Sequence, residues 1–213
     1  MKFNIPKQYV VMPFTADDRF FFRAIHNVAL EKEHWKTGLP HGIGVQRDRY
    51  KDRIKTYLIN AQDGCCAYCG MDFETLGDSH RDHIAPKAKH PKFIFRPDNI
   101  ILSCPKCNGL NKKKDLETIN HPPHSRYRKC DFIIIHPYYD NPEEHINYIV
   151  SSEGVLVRHI TEKGRKTIDF FGLDSINFTE TRAQCIKHNA YPLDAECIRL
   201  KNELLISRQS SYV

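Results

Sequence analysis

Cys66-Ala67-Tyr68-Cys69 and Cys104-Pro105-Lys106-Cys107 bracket the segment that decides the fold: Arg81-Asp82-His83-Ile84-Ala85-Pro86, then Asp98-Asn99-Ile100-Ile101-Leu102-Ser103. Each C-x-x-C unit places two thiolates on a tight turn, so four sulfurs can close around one tetrahedral ion. A closed shell leaves no position for water or substrate. The expected ion is therefore a structural Zn2+ held by Cys66, Cys69, Cys104 and Cys107. Its binding and the folding of the region are coupled. Cys65 adjoins Cys66 and offers a C-x-x-x-C register instead; the regular spacing favours Cys66. Cys130, Cys185 and Cys197 lack paired neighbours and read as core or surface thiols.

Around these cysteines the charge is unevenly spread. The 213-residue chain carries 32 Lys plus Arg against 26 Asp plus Glu, a formal charge of +6. From Arg81 to Lys114 the basic residues are Arg81, Lys87, Lys89, Lys92, Arg96, Lys106, Lys112, Lys113 and Lys114, against the acids Asp82 and Asp98. Such a concentration attracts a phosphate backbone; a solvated charged face is the plainer explanation. Hydrophobic residues make up 40% and charged residues 27%, which excludes disordered and collagen-like classes. No N-terminal stretch has the form of a signal peptide, and none approaches the ~20 apolar residues that span a bilayer. The expectation is a cytoplasmic protein with reduced cysteines, where paired C-x-x-C units favour metal over disulfides.

Farther out, the chain divides into three. Residues 1–62 form a helical N-terminal extension: Thr15 to Trp35 has apolar residues near helical spacing, with Thr15 before Asp17 and Asp18 as its start. After a loop at Gly38 to Gly44, Arg49 to Gln62 predicts a second helix using Tyr50, Ile54, Leu58 and Ile59. Residues 63–120 are the metal-centred core. Residues 121–213 are an α/β extension with strand candidates at Phe132 to Ile135 and Gly154 to His159. Ile168 to Leu173 is either a strand or the start of a helix. Helical patterns follow at Thr179 to His188 and Leu193 to Ile206.

Asp82-His83-Ile84-Ala85-Pro86, an Asn99 before an apolar run, then C-x-x-C-Asn108 with lysines just beyond, resembles the HNH endonuclease superfamily in its zinc-containing form, here as His-Asn-Asn. The resemblance implies an α+β fold: a ββα-metal core with helical extensions at both ends. It also implies roles: His83 as general base, Asp82 and Asn108 as ligands of a catalytic Mg2+ or Mn2+, and Asn99 as the brace that orients His83. The residue types suit the roles. An imidazole with an ordinary pKa near ~6.5 accepts a proton at neutral pH, and hard oxygens suit Mg2+ or Mn2+. Products with 5′-phosphate and 3′-hydroxyl ends are implied as well. Lys112 and Lys113 are candidate phosphate contacts, or else a solvated helix face. His80, His90, His121 and His124 fall outside the matched positions.

The order Phe132-Ile133-Ile134-Ile135-His136-Pro137-Tyr138-Tyr139-Asp140-Asn141-Pro142, then Gly154-Val155-Leu156, Lys166-Thr167-Ile168-Asp169 and Arg182 resembles the HNH subunits of Septu and retron-associated antiphage defence systems. That resemblance spans roughly Cys66 to Arg182 and is carried by turn and strand residues rather than chemistry. It implies an effector nuclease working with an ATPase partner subunit. DNA is the expected substrate, with RNA, including tRNA, as the alternative. A zinc-stabilised nucleic-acid-binding or scaffold subunit without catalysis is the reading from another class. The N-terminal helices and Leu193 to Ile206 are candidate partner surfaces, or else pack on the core.

Overall fold

The computed structural model of the protein describes residues 3–109, 113, 115–151 and 154–190. Thr15 opens helix α1 (Ala16–Ala24) with a capping box: its hydroxyl accepts from the Asp18 N–H, and the Asp18 carboxylate accepts from the Thr15 N–H at 2.7 Å. The helix expected to reach Trp35 stops at Ala24, and a 3-10 turn follows at Lys32–Trp35. An unbroken helix would carry Trp35 about 16 Å beyond Ala24. The break instead lets Trp35 fold back against Phe95, with ring centroids 5.7 Å apart.

Helix α2 (Gly44–Ala61) begins before the expected Arg49 and buries Arg47, Tyr50, Ile54 and Leu58 along one face. Ile59 lies off that face and is 38% exposed. Phe21 of α1 stacks on Tyr50 and meets Phe95 edge-on, while the Tyr50 hydroxyl donates to the Phe95 carbonyl at 2.6 Å. These faces of the N-terminal helices therefore pack on the central unit. At the end of α2 the buried Gln62 donates to the Cys65 and Leu102 carbonyls and accepts from the Leu102 N–H, tying the helix to the strand that precedes Cys104.

After the short helix α3 (Phe73–Leu76) comes an antiparallel hairpin of β1 (His80–His83) and β2 (Ile100–Ser103), which pairs Asp82 with Ile101 and His83 with Ile100. Ile100, Ile101 and Leu102 are fully buried; a strand covered on both faces reads as a continuous apolar run, not an alternating one. Helix α4 (Pro105–Asn108) follows and packs on β1, completing a ββα unit.

A second antiparallel hairpin, β3 (Ile146–Ser151) and β4 (Gly154–His159), has its β4 on the strand expected from sequence. In Phe132 to Ile135, where all but the half-buried Ile133 are buried, there is no strand; Phe132 makes a lone bridge, to Ile119. The Ile133 N–H goes to the Thr118 carbonyl beside that bridge and the Ile135 N–H to the Thr167 hydroxyl, so the run leaves its single bridge and docks its end onto a helix. That helix is α5 (Glu162–Phe171), which contains most of the ambiguous Ile168 to Leu173 stretch. Helix α6 (Ile176–Ala190) contains the expected Thr179 to His188. One cluster of buried apolar side chains runs from Tyr9 to Phe178. Leu193 to Ile206, Cys197, Lys112 and Lys114 lie outside the described residues.

Candidate active site

The four sulfurs of Cys66, Cys69, Cys104 and Cys107 are buried and lie within 4.8 Å of one another. Cys69 Sγ and Cys104 Sγ are 3.8 Å apart, and a tetrahedron with sulfurs about 2.3 Å from zinc puts them about 3.8 Å apart. The donor set fits Zn2+. Cys65 stands outside the cluster, in a bridge to Asp72. Hydrogen bonds from Cys107, Cys66 and Cys69 hold the Cys104 thiol far below its usual value, while burial pushes Cys69 up. The first turn is closed by Gly70 at φ +74°, where a Cβ would sit 2.0 Å from the Asn4 carbonyl oxygen. Only glycine allows the N-terminal lead to pair there, Asn4 N–H to Gly70 O at 2.8 Å.

Asp82 and His83 end β1 a few residues from this cluster, and both are nearly buried, at 4% and 5% exposure. Tyr68, inside the first C-x-x-C turn, donates its hydroxyl to Asp82 Oδ2 at 2.8 Å. Burial first, then the Asp82 charge, pushes the Tyr68 pKa well above its usual value, so the hydroxyl stays a donor. The zinc turn thus positions the carboxylate directly. On the other oxygen, Lys113 Nζ donates to Asp82 Oδ1 at 3.0 Å and also to the His83 carbonyl. Lys113 is fully buried and not on an exposed face, because an ammonium taken out of water needs an opposite charge and Asp82 supplies it.

His83 Nε2 lies 3.0 Å from the Ile94 carbonyl. A carbonyl only accepts, so Nε2 carries the proton and Nδ1 of the neutral ring is left as a base. Trp35 covers the ring edge-on at 4.6 Å. Burial, with smaller contributions from Lys87 and Lys113, pushes the His83 pKa down to about 3, which keeps the ring neutral at physiological pH.

Asn99 makes none of its side-chain hydrogen bonds to His83. Its Oδ1 accepts from the Ala85 N–H at 2.7 Å, and its Nδ2 donates to the carbonyls of Phe93 at 3.0 Å and Ala85 at 3.3 Å. It braces the loop after β1 against the segment whose next residue, Ile94, holds His83. Asn108 closes α4, half-buried. Of the unmatched histidines, His90 and His121 share Glu117 at 2.8 and 3.0 Å. Glu117 also accepts from the Thr118 and Ile119 N–H groups, and this company holds it down to about 2. Sequence reasoning missed Tyr68, Trp35, the Ile94 carbonyl and the inward role of Lys113. Tyr68 alone carried a signal, its place between two ligand cysteines.

Residues 66–114 match the family model described as HNH endonuclease, so the ββα unit with its four clustered cysteines is an HNH domain. Over 131 residues, 60% of this chain and 43% of the relative, the protein is 26% identical to Septu protein PtuB of Bacillus thuringiensis. Over 155 residues, 62% of this chain and 20% of the relative, it is 24% identical to Septu protein PtuA of Bacillus mycoides. The chain spans less than half the length of these curated relatives. No helix among the described residues is long and apolar enough to cross a membrane.

Proposed function

We propose that this protein is a metal-dependent endonuclease that hydrolyses phosphodiester bonds, with DNA as its substrate. The observation that carries the reading is the pairing of a neutral His83 pinned through Nε2 with a buried Asp82 carboxylate that already holds a positive charge. A buried carboxylate needs a positive partner; Lys113 fills that place in the metal-free chain, and a divalent ion would take it over when bound, with Asp82 and the Asn108 amide oxygen as hard donors for Mg2+ or Mn2+. Such an ion, when bound, stabilises charge on the phosphate and the departing oxygen. His83 Nδ1 takes the proton from the attacking water. The Ile94 carbonyl keeps the accepting nitrogen turned to the reaction, and Asn99 keeps that carbonyl in place. With a divalent ion on Asp82, Lys113 would be released from the carboxylate and could reach a phosphate oxygen; Lys112 is a second candidate phosphate contact.

The similarity to PtuB and PtuA supports a place in an antiphage defence system, with an ATPase subunit as partner. One observation favours the second reading, a zinc-stabilised scaffold that binds nucleic acid without cutting it. Both Asp82 oxygens are occupied by the chain's own groups, and His83 is covered by Trp35. Digestion of plasmid DNA and of RNA with Mg2+ or Mn2+, native protein beside His83→Ala, separates the readings. Cleavage by the native protein that disappears in the variant supports the nuclease, and RNA cut in preference to DNA moves the substrate. Equal behaviour of the two proteins overturns it. Purification with the neighbouring gene product tests the partner.

A further inference from the structure

The stretch His136-Pro137-Tyr138-Tyr139-Asp140 plays no part in the chemistry above, yet it lies against the turn that delivers Asn99. Its hydrogen bonds have one permitted direction. The Tyr138 N–H donates to His136 Nδ1 at 3.2 Å, so the neutral ring carries its proton on Nε2. Nε2 then donates to the Tyr127 oxygen at 2.9 Å, which leaves the Tyr127 hydroxyl proton for Asn99 Oδ1 at 2.7 Å. Burial supports this direction by keeping His136 neutral, its pKa down to about 3. The neighbours of Asn99 are held by the same stretch. The Tyr139 ring lies parallel to His136 at 4.1 Å and its hydroxyl donates to Asp98, while the Tyr138 hydroxyl donates to the Ile100 carbonyl at 2.5 Å. The backbone of His136 is itself fixed by Asp140, whose carboxylate accepts from the His136 main-chain N–H at 2.8 Å.

We propose that His136 and Tyr127 are positioning residues of the nuclease centre: through Asn99 they hold the Phe93-Ile94 segment, and with it His83, in register. An apolar pair would fill the same space without three buried polar groups that must all be satisfied. The relay ends on a side chain that joins the two backbone segments around His83, at Ala85 and Phe93. The proposal rests on the nuclease reading.

Tyr127→Phe removes the hydroxyl and keeps the ring that packs on Phe93 and Phe132. It is expected to lower kcat about ten- to a hundredfold with KM within about twofold, because small displacements of a catalytic group cost rate, not binding. His136→Ala should match it, and His136→Gln, which can still donate to Tyr127, should recover most of the rate. The double variant Tyr127→Phe/His136→Ala should lose no more than the weaker single variant. Full kcat in Tyr127→Phe, losses that multiply, or an effect on KM alone would overturn the proposal. If His136→Ala does not fold, Tyr127→Phe and His136→Gln decide it. Nitrogen-15 NMR of the native protein gives a readout without activity. A neutral His136 protonated at Nε2 is expected; a proton on Nδ1 breaks the relay. If the native protein cuts nothing, the nuclease reading fails and the positioning claim with it, while the tautomer still reports whether the relay exists.

Discussion

The zinc cluster and the Asp82-His83 centre share one hairpin, yet they are built on opposite terms. The four sulfurs face one another, with the Cys104 backbone N–H on Cys66 Sγ, so burying more than one thiolate there calls for an ion. The Asp82-His83 centre is satisfied by the chain itself: Tyr68 and Lys113 on the carboxylate, the Ile94 carbonyl on the imidazole. The first centre is expected to need an ion in order to fold. The second is satisfied without one, which under the proposed function would leave its ion exchangeable. Tyr68 joins them, since the turn that presents two sulfurs also presents the hydroxyl that fixes Asp82.

The contrast breaks most visibly at zinc. Cys104→Ser, or a strong chelator, should unfold the protein: structural zinc supplies about 10–16 kcal/mol in small zinc domains, as much as a whole domain's stability of about 5–15 kcal/mol. Circular dichroism and metal content check this; a soluble, fully active Cys104→Ser would show that the zinc does not hold the frame. At the other centre, His83→Ala should melt as the native protein does, with zinc retained, while cleavage falls by about 10²–10⁴-fold. Lys113→Met leaves Asp82 buried without its counter-charge and should cost about 3–5 kcal/mol in metal-free protein. Melting curves with and without Mg2+ or Mn2+ should show that loss largely recovered by the divalent ion. No recovery would place the ion elsewhere. The smallest effect is expected of Tyr68→Phe, which removes one hydrogen bond to a charged group, about 1.5–3 kcal/mol, while zinc content stays at that of the native protein.

The parts legible in sequence were those where residue type alone dictates chemistry. Four cysteines at C-x-x-C spacing can hardly do anything else, and Thr15 with Asp18 writes a helix start in two residues. Gly154 to His159 reads as a strand because its apolar residues and turn are local. The failures have a common physical cause, that apolarity does not say what covers a residue. Phe132 to Ile135 looks like a strand because it is apolar, but its pairing stops at one bridge, from Phe132 to Ile119, and the Ile135 N–H goes to the Thr167 hydroxyl. Ile146 to Ser151 was passed over, although β4 needs it as a partner. Lys113 looks like a surface charge in a lysine run, and only the fold shows the carboxylate that draws it inside. Trp35, Tyr127 and His136 reach the site from outside the motif, and no spacing rule connects them to His83 or Asn99.

The most direct test is cleavage of plasmid DNA with Mg2+ or Mn2+ by the zinc-loaded native protein and by His83→Ala of equal zinc content and melting temperature. Two centres with separate tasks predict metal-dependent cutting by the native protein and a loss of at least a hundredfold in the variant. Equal cutting by both, or none by either on DNA and on RNA, would contradict the assignment of Asp82 and His83 as a nuclease centre.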